Sequence, residues 1–184
     1  MQLITRRFEF DAGHRVMNER VKCFSGHGHR YYGDLIFNFE TIQEIGYNID
    51  FKEIKRIGCQ WIDDYWDHGM LLNPHDTKLI DVFKEIKTKI WPMSLNGEGK
   101  YCNPTVENLS KELFLAQQVL FQNVKGLKLF QIRLYETPNC WTDCFEESIT
   151  TEEKFNFLHI HGPELVQYTI DKGMYEYDDR KITK

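Results

Sequence analysis

The sequence predicts an α+β domain built on an antiparallel sheet. Apolar and polar residues alternate near the start of the chain and again around residue 130, which is the pattern of half-buried strands. Between these segments, apolar residues recur at helical spacing. Aromatic residues, which favour sheets, make up 14% of the 184 residues. Sequential strands around paired helices are typical of this fold class.

Two neighbouring strands are predicted at the start of the chain. The first covers residues 3–11 and places Ile4, Phe8 and Phe10 on one face, because successive side chains of a strand point to opposite sides. The second covers residues 30–40 and alternates in the same way. A polar loop joins the two segments, so we expect them to pair as antiparallel strands.

Three helical segments are expected next. Asp50 is a suitable N-cap, and Glu53 stands three positions later, where the partner of a capping box belongs. This helix should end near residues 66–69. Apolar residues at helical spacing predict a second helix over residues 76–90. A third helix is expected over residues 103–126, with a proline in its first turn and a glycine at its end.

The chain is expected to return to strands after the third helix. Residues 127–136 and 140–146 form the next predicted pair. Beyond residue 150, two short alternating runs, residues 155–161 and 166–170, are predicted as further strands.

The composition argues against several classes of protein. A net charge of −5 disfavours general nucleic-acid binding, which depends on a dominant basic surface. We expect neither a signal peptide nor a membrane span, because the sequence has no apolar run of suitable length. The five cysteines show no short repeated spacing, so reduced thiols in a cytoplasmic protein are the simplest interpretation.

A metal site is the first candidate for function. His27 and His29 are two residues apart at the start of a predicted strand, so their side chains share one face. His14 ends the preceding strand and is the obvious third ligand. Three protein ligands and an open fourth position are typical of catalytic zinc. The alternative is that these are ordinary half-exposed strand histidines, and only further partners decide against it.

Three further segments carry candidate chemistry. Cys23 lies four residues before His27, where a nearby cation would favour the thiolate. Asp67 and His68 place a carboxylate and an imidazole, a proton donor or acceptor near neutral pH, at the end of a helix. Glu136, at the end of a strand, could bind the amino-amide edge of a heterocycle. Taken singly, each could instead be a capping or surface residue.

Together these residues carry a family resemblance. The chain resembles the 6-pyruvoyltetrahydropterin synthase and 6-carboxytetrahydropterin synthase family over residues 3–144. The matching motifs are Phe10-Asp11-Ala12-Gly13-His14-Arg15, Lys22-Cys23, His27-Gly28-His29, Gly46 with Asp50-Phe51, Asp67-His68, Leu72-Asn73, Asn103-Pro104-Thr105-Val106-Glu107-Asn108 and Tyr135-Glu136-Thr137.

The resemblance implies a fold and an assembly. It implies the tunnelling fold, a ββααββ unit whose antiparallel sheet closes with those of other subunits into an oligomeric barrel around a pore. The expected assembly is a homo-hexamer made of two trimers.

The resemblance also implies a site. The expected zinc ligands are His14, His27 and His29. Cys23 would be the catalytic base, and Asp67 with His68 would complete the proton relay. The pterin would be bound by Glu136, with Thr105 and Glu107 nearby. The basic residues Arg15, Lys22 and Arg30 could lie near a triphosphate or simply belong to a solvated loop.

The spacing between the cysteine and the His-Gly-His motif favours one subtype. Three residues intervene, which is similar to bacterial 6-carboxytetrahydropterin synthases. The resemblance therefore implies conversion of 7,8-dihydroneopterin triphosphate to 6-carboxy-5,6,7,8-tetrahydropterin, acetaldehyde and triphosphate, in 7-deazaguanine (queuosine) biosynthesis. The alternatives are a 6-pyruvoyltetrahydropterin synthase, which eliminates triphosphate, and a zinc- or pterin-binding module without turnover.

Two segments depart from the compact form of the family. We expect a pterin synthase domain over residues 1–146, with an insertion at about 74–102. Residues 147–184 form an extension, expected to pack on the same domain. His159 and His161 in this extension repeat the spacing of the candidate ligands, but no third ligand is near, so we expect them to be structural.

Overall fold

The computed structural model describes residues 2–18, 22–97 and 102–172, and within them it contains one mixed sheet of six strands. The strands are β1 (Leu3–His14), β2 (His27–Phe39), β3 (Gly69–Leu72), β4 (Ile90–Pro92), β5 (Leu127–Thr137) and β6 (Cys140–Cys144). Their order across the sheet is β4-β3-β1-β2-β5-β6. The sheet is open, with β4 and β6 at its edges, and no barrel closes within the part of the chain that is described.

The long strands pair as the sequence predicts. β1 and β2 are antiparallel along their whole length, from Leu3 opposite Asn38 to His14 opposite His27. β5 pairs antiparallel with β2, and β6 pairs antiparallel with β5. Both first strands extend further toward the connecting loop than predicted, because the histidine-glycine segments continue the ladder.

The prediction of a purely antiparallel sheet is wrong at one edge. β3 pairs parallel with β1, and β4 pairs parallel with β3. β4 follows β3 through a helical connection, and a crossover of this kind returns the chain in a parallel direction. β3 has 4 residues and β4 has 3, too few for the alternation by which a strand is recognised.

The helices pack against the face of the sheet that carries the buried strand residues. They are α1 (Phe51–Ile54), α2 (Gln60–Tyr65), α3 (Thr77–Glu85), α4 (Val106–Leu120) and α5 (Thr151–Asp171). Residues Lys55–Cys59 form a π-helical turn that joins α1 to α2. The carbonyl of Gly58 in this turn accepts a hydrogen bond from Nε2 of Gln117 on α4 at 3.2 Å.

The helix ends differ in part from the predicted ones. The Asp50 carboxylate caps α1 by accepting from the Lys52 amide at 2.8 Å, as predicted. The expected capping box is not formed, because Glu53 accepts from Arg56 instead. The predicted helix over 76–90 is shorter and is followed by β4. Thr105 is the N-cap of α4, so the preceding proline lies outside its first turn, and α4 ends at Leu120.

The prediction of two strands beyond residue 150 is wrong. This segment is the single helix α5, and its buried residues Phe157, His161, Leu165 and Tyr168 recur every three or four positions. Thr150 and Glu153 form a capping box at its start. The strand prediction relied on short runs in which apolar and polar residues alternate, although the helical spacing of these buried residues is the pattern that the fold follows. Among the described residues, no helix combines the length and the apolar character needed to cross a bilayer.

Helix α5 separates the two histidines of the second His-x-His pair. His161 is buried, stacks on Trp91 with ring centroids 4.0 Å apart, and donates from Nε2 to the carbonyl of Pro92 at 3.1 Å. His159 is exposed and stacks on Phe155. A spacing of two residues on a helix points side chains to nearly opposite sides, so the pair cannot converge on one ion. His161 therefore packs α5 against β4.

Candidate metal centre and active-site cavity

Three histidines converge where β1 ends and β2 begins. His14 lies directly opposite His27 in the antiparallel register, and His29 lies opposite Ala12. Cross-strand partners share a face, so all three side chains are on the side of the sheet that the helices cover. One ring nitrogen of each histidine lies within 4.8 Å of the others. The fold therefore brings together the three residues that the sequence predicts as metal ligands.

Backbone carbonyls orient two of the rings. Nδ1 of His14 donates to the carbonyl of Pro104 at 2.7 Å, and Nδ1 of His27 donates to the carbonyl of Ser25 at 2.8 Å. A carbonyl only accepts, so the proton of each neutral ring is on Nδ1 and the lone pair is on Nε2. The two Nε2 atoms are 3.2 Å apart. Two lone pairs held this close suit a shared cation.

Burial favours the neutral form of His14 and His29. Removal from water lowers the pKa of His14 to about 4, an effect only partly offset by the Pro104 carbonyl. Burial also lowers the pKa of His29. Neutral imidazole is the form that binds metal, so the donor set fits zinc.

Glu136 connects the histidines to an adjoining cavity. Its Oε1 lies 3.6 Å from Nε2 of His14 and 3.9 Å from Nε2 of His29. Its carboxylate also lines a cavity of about 490 Å³. The other lining residues are Val16, Cys23, Thr105, Val106, Glu107, Asn139, Cys140 and Trp141.

The start of α4 builds one wall of this cavity. Thr105 caps the helix, and Glu107 stands in its first turn. Cys23 lines the same cavity from a single 3₁₀ turn, Lys22–Phe24, and is exposed. Four of the residues predicted to act on substrate, Cys23, Thr105, Glu107 and Glu136, therefore meet in one cavity beside the histidines.

Asp67 and His68 form a pair outside that cavity. Asp67 accepts from the Asp11 amide at 2.8 Å and from Nδ1 of His68 at 2.7 Å. His68 has a φ of 56°, and its side chain is 79% exposed. It lies in a shallow depression that also includes His29 and Arg30. The structure thus joins Asp67 to His68 but does not bring either residue to Cys23 of the same chain.

The fold and the site agree with a comparison across known proteins. Residues 3–147 match the family described as 6-pyruvoyl tetrahydropterin synthase. The chain belongs to this family. The predicted family, and with it the prediction that the protein is an enzyme, is confirmed.

Relatives of the family differ in the reaction they are named for. A Rickettsia bellii protein named 6-carboxy-5,6,7,8-tetrahydropterin synthase is 37% identical over 144 residues, covering 76% of this chain and 96% of the relative. A Dictyostelium discoideum protein named 6-pyruvoyl tetrahydrobiopterin synthase is 26% identical, covering 74% and 90%. In fold, the chain is similar to an uncharacterized Wolinella succinogenes protein, with a TM-score of 0.61, 19% identity and coverage of 79% and 98%.

The basic residues near the site of this pterin synthase family member are mostly paired. Arg15 forms a two-point ion pair with Asp76, and Arg30 forms one with Asp11. Lys22 is exposed beside Cys23. Two of the three cations considered for a triphosphate therefore already face carboxylates.

Part of the cavity wall consists of residues that the sequence motifs do not predict. Asn139, Cys140 and Trp141 follow Glu136 through the turn into β6 and line the cavity. The nearness of Cys140 to Glu136 in sequence was the available signal. Cys140 and Cys23 are the two exposed cysteines of the chain, while Cys59, Cys102 and Cys144 are buried.

Proposed function

We propose that the protein is a zinc-dependent lyase that converts 7,8-dihydroneopterin triphosphate and water to 6-carboxy-5,6,7,8-tetrahydropterin, acetaldehyde and triphosphate. The observation that carries this proposal is the cavity itself, in which a thiol and two carboxylates adjoin three converging imidazoles. The names of the Rickettsia relatives support the 6-carboxy product. Such a reaction supplies 7-deazaguanine (queuosine) biosynthesis.

The residues divide into metal ligands, binding groups and proton carriers. Held by His14, His27 and His29, zinc would polarise a substrate oxygen and acidify the adjacent C–H and O–H bonds. Cys23 would accept the proton from the substrate side chain. Its exposed position on the cavity wall leaves the sulfur open to substrate.

The carboxylates would hold the pterin ring. The amino-amide edge of a pterin presents adjacent N–H donors, and Glu136 and Glu107 are acceptors on the same cavity. Thr105, two residues before Glu107, also lines the cavity and adds a hydroxyl. Charge-assisted hydrogen bonds of this kind fix the orientation of a planar ligand as well as its affinity.

Asp67 and His68 would be the second proton-transfer group. The Asp67 carboxylate orients the His68 ring through Nδ1, which leaves Nε2 to exchange a proton. Because this pair lies outside the cavity of its own chain, we propose that subunit association brings it to a cavity. The open edges β4 and β6 support association, since closure of sheets into a ring removes unpaired strand edges. The proposed assembly is a cytoplasmic homo-hexamer of two trimers.

The domain arrangement is also a proposal. We propose a pterin synthase domain over residues 1–146 with an insertion at about 74–102, and an extension over 147–184. Phe157 belongs to the buried core and His161 stacks on Trp91, and both contacts support packing of the extension on the same domain.

Product analysis tests the function. The protein is incubated with 7,8-dihydroneopterin triphosphate, with and without zinc, and the pterin products and acetaldehyde are identified by chromatography and mass spectrometry. We expect 6-carboxytetrahydropterin and acetaldehyde in equal amounts, dependent on zinc. A 6-pyruvoyl product without acetaldehyde would instead assign the second candidate, which the family description and the Dictyostelium relative favour. Pterin binding without any product would assign the remaining alternative, a pterin-binding module without turnover.

A further inference from the structure

The segment that carries Cys23 has no anchor in the core. Residues 22–26 are all exposed, and the 3₁₀ turn Lys22–Phe24 contains no buried residue. Apolar burial, which fixes most of this fold, therefore cannot fix the position of Cys23. A group that removes a proton must nevertheless be held within hydrogen-bonding reach of its target. Polar contacts have to hold this segment in place.

Arg15 supplies the main contact. Its guanidinium carbon lies 5.1 Å from the centroid of the Phe24 ring, next to Cys23 in sequence. The amide of the following residue, Val16, donates to the carbonyl of Cys23 at 2.8 Å. The segment around Cys23 therefore contacts residues 15 and 16 through one cation–π interaction and one backbone hydrogen bond.

Asp76 in turn fixes Arg15. Its carboxylate accepts from Nε of Arg15, and from Nη2 at 2.7 Å, so the guanidinium is held in one plane. The Asp76 side chain is 3% exposed, compared with 22% for Arg15. The backbone of Asp76 is tied to the carbonyl of Asn73 at 2.9 Å. Asp76 is therefore a rigid, buried attachment point for a partly exposed cation.

A second set of contacts steadies the same loop. The Asn103 side chain accepts from the amide of Met17 at 2.9 Å and donates to its carbonyl at 3.0 Å. The Asn73 side chain donates to Asn103 at 2.7 Å. Residues 15–17 are thereby held to the segment that begins at Asn73, and Asp76 belongs to that segment.

We propose that Asp76 and Arg15 form a positioning pair that holds Phe24, and with it Cys23, at the cavity wall. This inference rests on the proposed role of Cys23 as the base. It assigns a purpose to the beginning of the 74–102 insertion, because Asp76 lies within it. It also makes Arg15 a positioning residue, with its guanidinium engaged by a carboxylate and a ring, and not a contact to the triphosphate.

The test compares Asp76→Asn with Asp34→Asn. Asp34 accepts a matching two-point pair from Arg7 and is 10% exposed, but this pair joins β1 to β2 and not to the Cys23 segment. For Asp76→Asn we expect kcat to fall about 10- to 100-fold, as for other small displacements of a reacting group. The KM should stay within about twofold and zinc content should be unchanged. Amide hydrogen exchange in residues 22–26 should become faster. Asp34→Asn should show none of these changes.

Phe24→Leu provides a second variant that does not threaten folding, because Phe24 is 49% exposed. It removes the ring and leaves the ion pair intact, and the same loss of kcat with faster exchange is expected. Combined with Asp76→Asn, it should add little, since both changes break one chain of contacts. Additive losses would overturn the proposal. A rise in KM with unchanged kcat would assign Arg15 to substrate binding instead.

Hydrogen exchange separates this inference from the proposed function. If Cys23→Ala keeps normal turnover, the role of Cys23 fails, whereas faster exchange of residues 22–26 in Asp76→Asn still supports the positioning pair. If Cys23→Ala is inactive but exchange in Asp76→Asn equals that of Asp34→Asn, only the positioning pair fails.

Discussion

The carbonyl of Pro104 accepts the Nδ1 proton of His14 at 2.7 Å, across 90 residues of sequence. The next residue, Thr105, caps α4 and lines the cavity. The same backbone segment therefore orients a candidate metal ligand and positions the wall that would hold the pterin. Any shift of the start of α4 moves both.

Zinc binding is expected to depend on the three converging histidines. His27→Ala and His29→Ala should each weaken zinc binding by at least about 10-fold, because even the loss of an outer contact to a ligand has that effect. Metal analysis after dialysis against a competing chelator provides the measurement. His159→Ala is the matched control and should keep one zinc per subunit, since His159 is exposed on α5. Full retention of zinc in both site variants would contradict the assignment.

Cys23→Ala is expected to lower turnover about 10²- to 10⁴-fold, the usual contribution of a general base. Zinc content and pterin binding should persist, because the histidines and Glu136 are untouched. Steady-state kinetics and metal analysis on the same preparation measure both properties. Cys144→Ala, a buried thiol away from the cavity, should remain active. Loss of zinc together with activity in Cys23→Ala would make Cys23 a ligand.

Thiol labelling should distinguish two classes of cysteine. Cys23 and Cys140 are exposed and should react with iodoacetamide in the native protein. Burial raises the pKa of Cys102 to about 11 and that of Cys144 to about 12, so these thiols stay protonated and shielded at pH 8. Peptide mapping by mass spectrometry reads out each site. Labelling of Cys144 before Cys140 would contradict the burial pattern.

Stability should depend on pH through Glu112. This carboxyl is buried on α4, and burial raises its pKa from 4.5 to about 7. A raised pKa in the folded state stabilises the fold at low pH, and that contribution is lost as pH rises through about 7. Relative to Glu112→Gln, the wild-type free energy of unfolding should therefore fall by up to about 3 kcal/mol between pH 4 and pH 8. Urea unfolding of both proteins across this range measures the difference. A constant difference would show that Glu112 does not titrate in the folded protein.

Helix α5 is expected to contribute to stability through one ring. Phe157 is fully buried, so Phe157→Ala should cost about 3–5 kcal/mol of unfolding free energy. Phe155 is 67% exposed on the same helix, and Phe155→Ala should change stability by no more than about 0.5 kcal/mol. Chemical denaturation compares the two. Equal effects would mean that α5 does not pack as described.

Long periodic segments and short-range motifs were predictable from the sequence. β1 and β2 alternate over many residues, and the histidines lie on them at spacings that place them on one face. The α4 start, with Thr105 and Glu107, was recognised through its motif. Each of these features depends on neighbours in the sequence, so the sequence alone carries the signal.

Features set by tertiary contacts were not predictable. β3 and β4 exist because a helical crossover delivers short segments to the sheet edge. The orientation of the His14 ring depends on a hydrogen bond to a backbone carbonyl, and because every residue has one, the sequence does not reveal which carbonyl accepts. Cys140 and Trp141 line the cavity because β6 turns back beside Glu136. The prediction of strands over residues 155–161 and 166–170 was wrong because short runs of alternating apolar and polar residues also occur within a helix.

The π-helical turn at Lys55–Cys59 suggests how the gene itself has changed. A turn with one residue more than an α-helical turn is what insertion of a single codon into a helix produces, and Gln117 donates a hydrogen bond to the Gly58 carbonyl within this turn. A lineage that lacks that codon should have an unbroken helix here and should be under no selection for glutamine at the position of Gln117. Among related proteins, the length of this helix and the residue at the position of Gln117 should therefore change together.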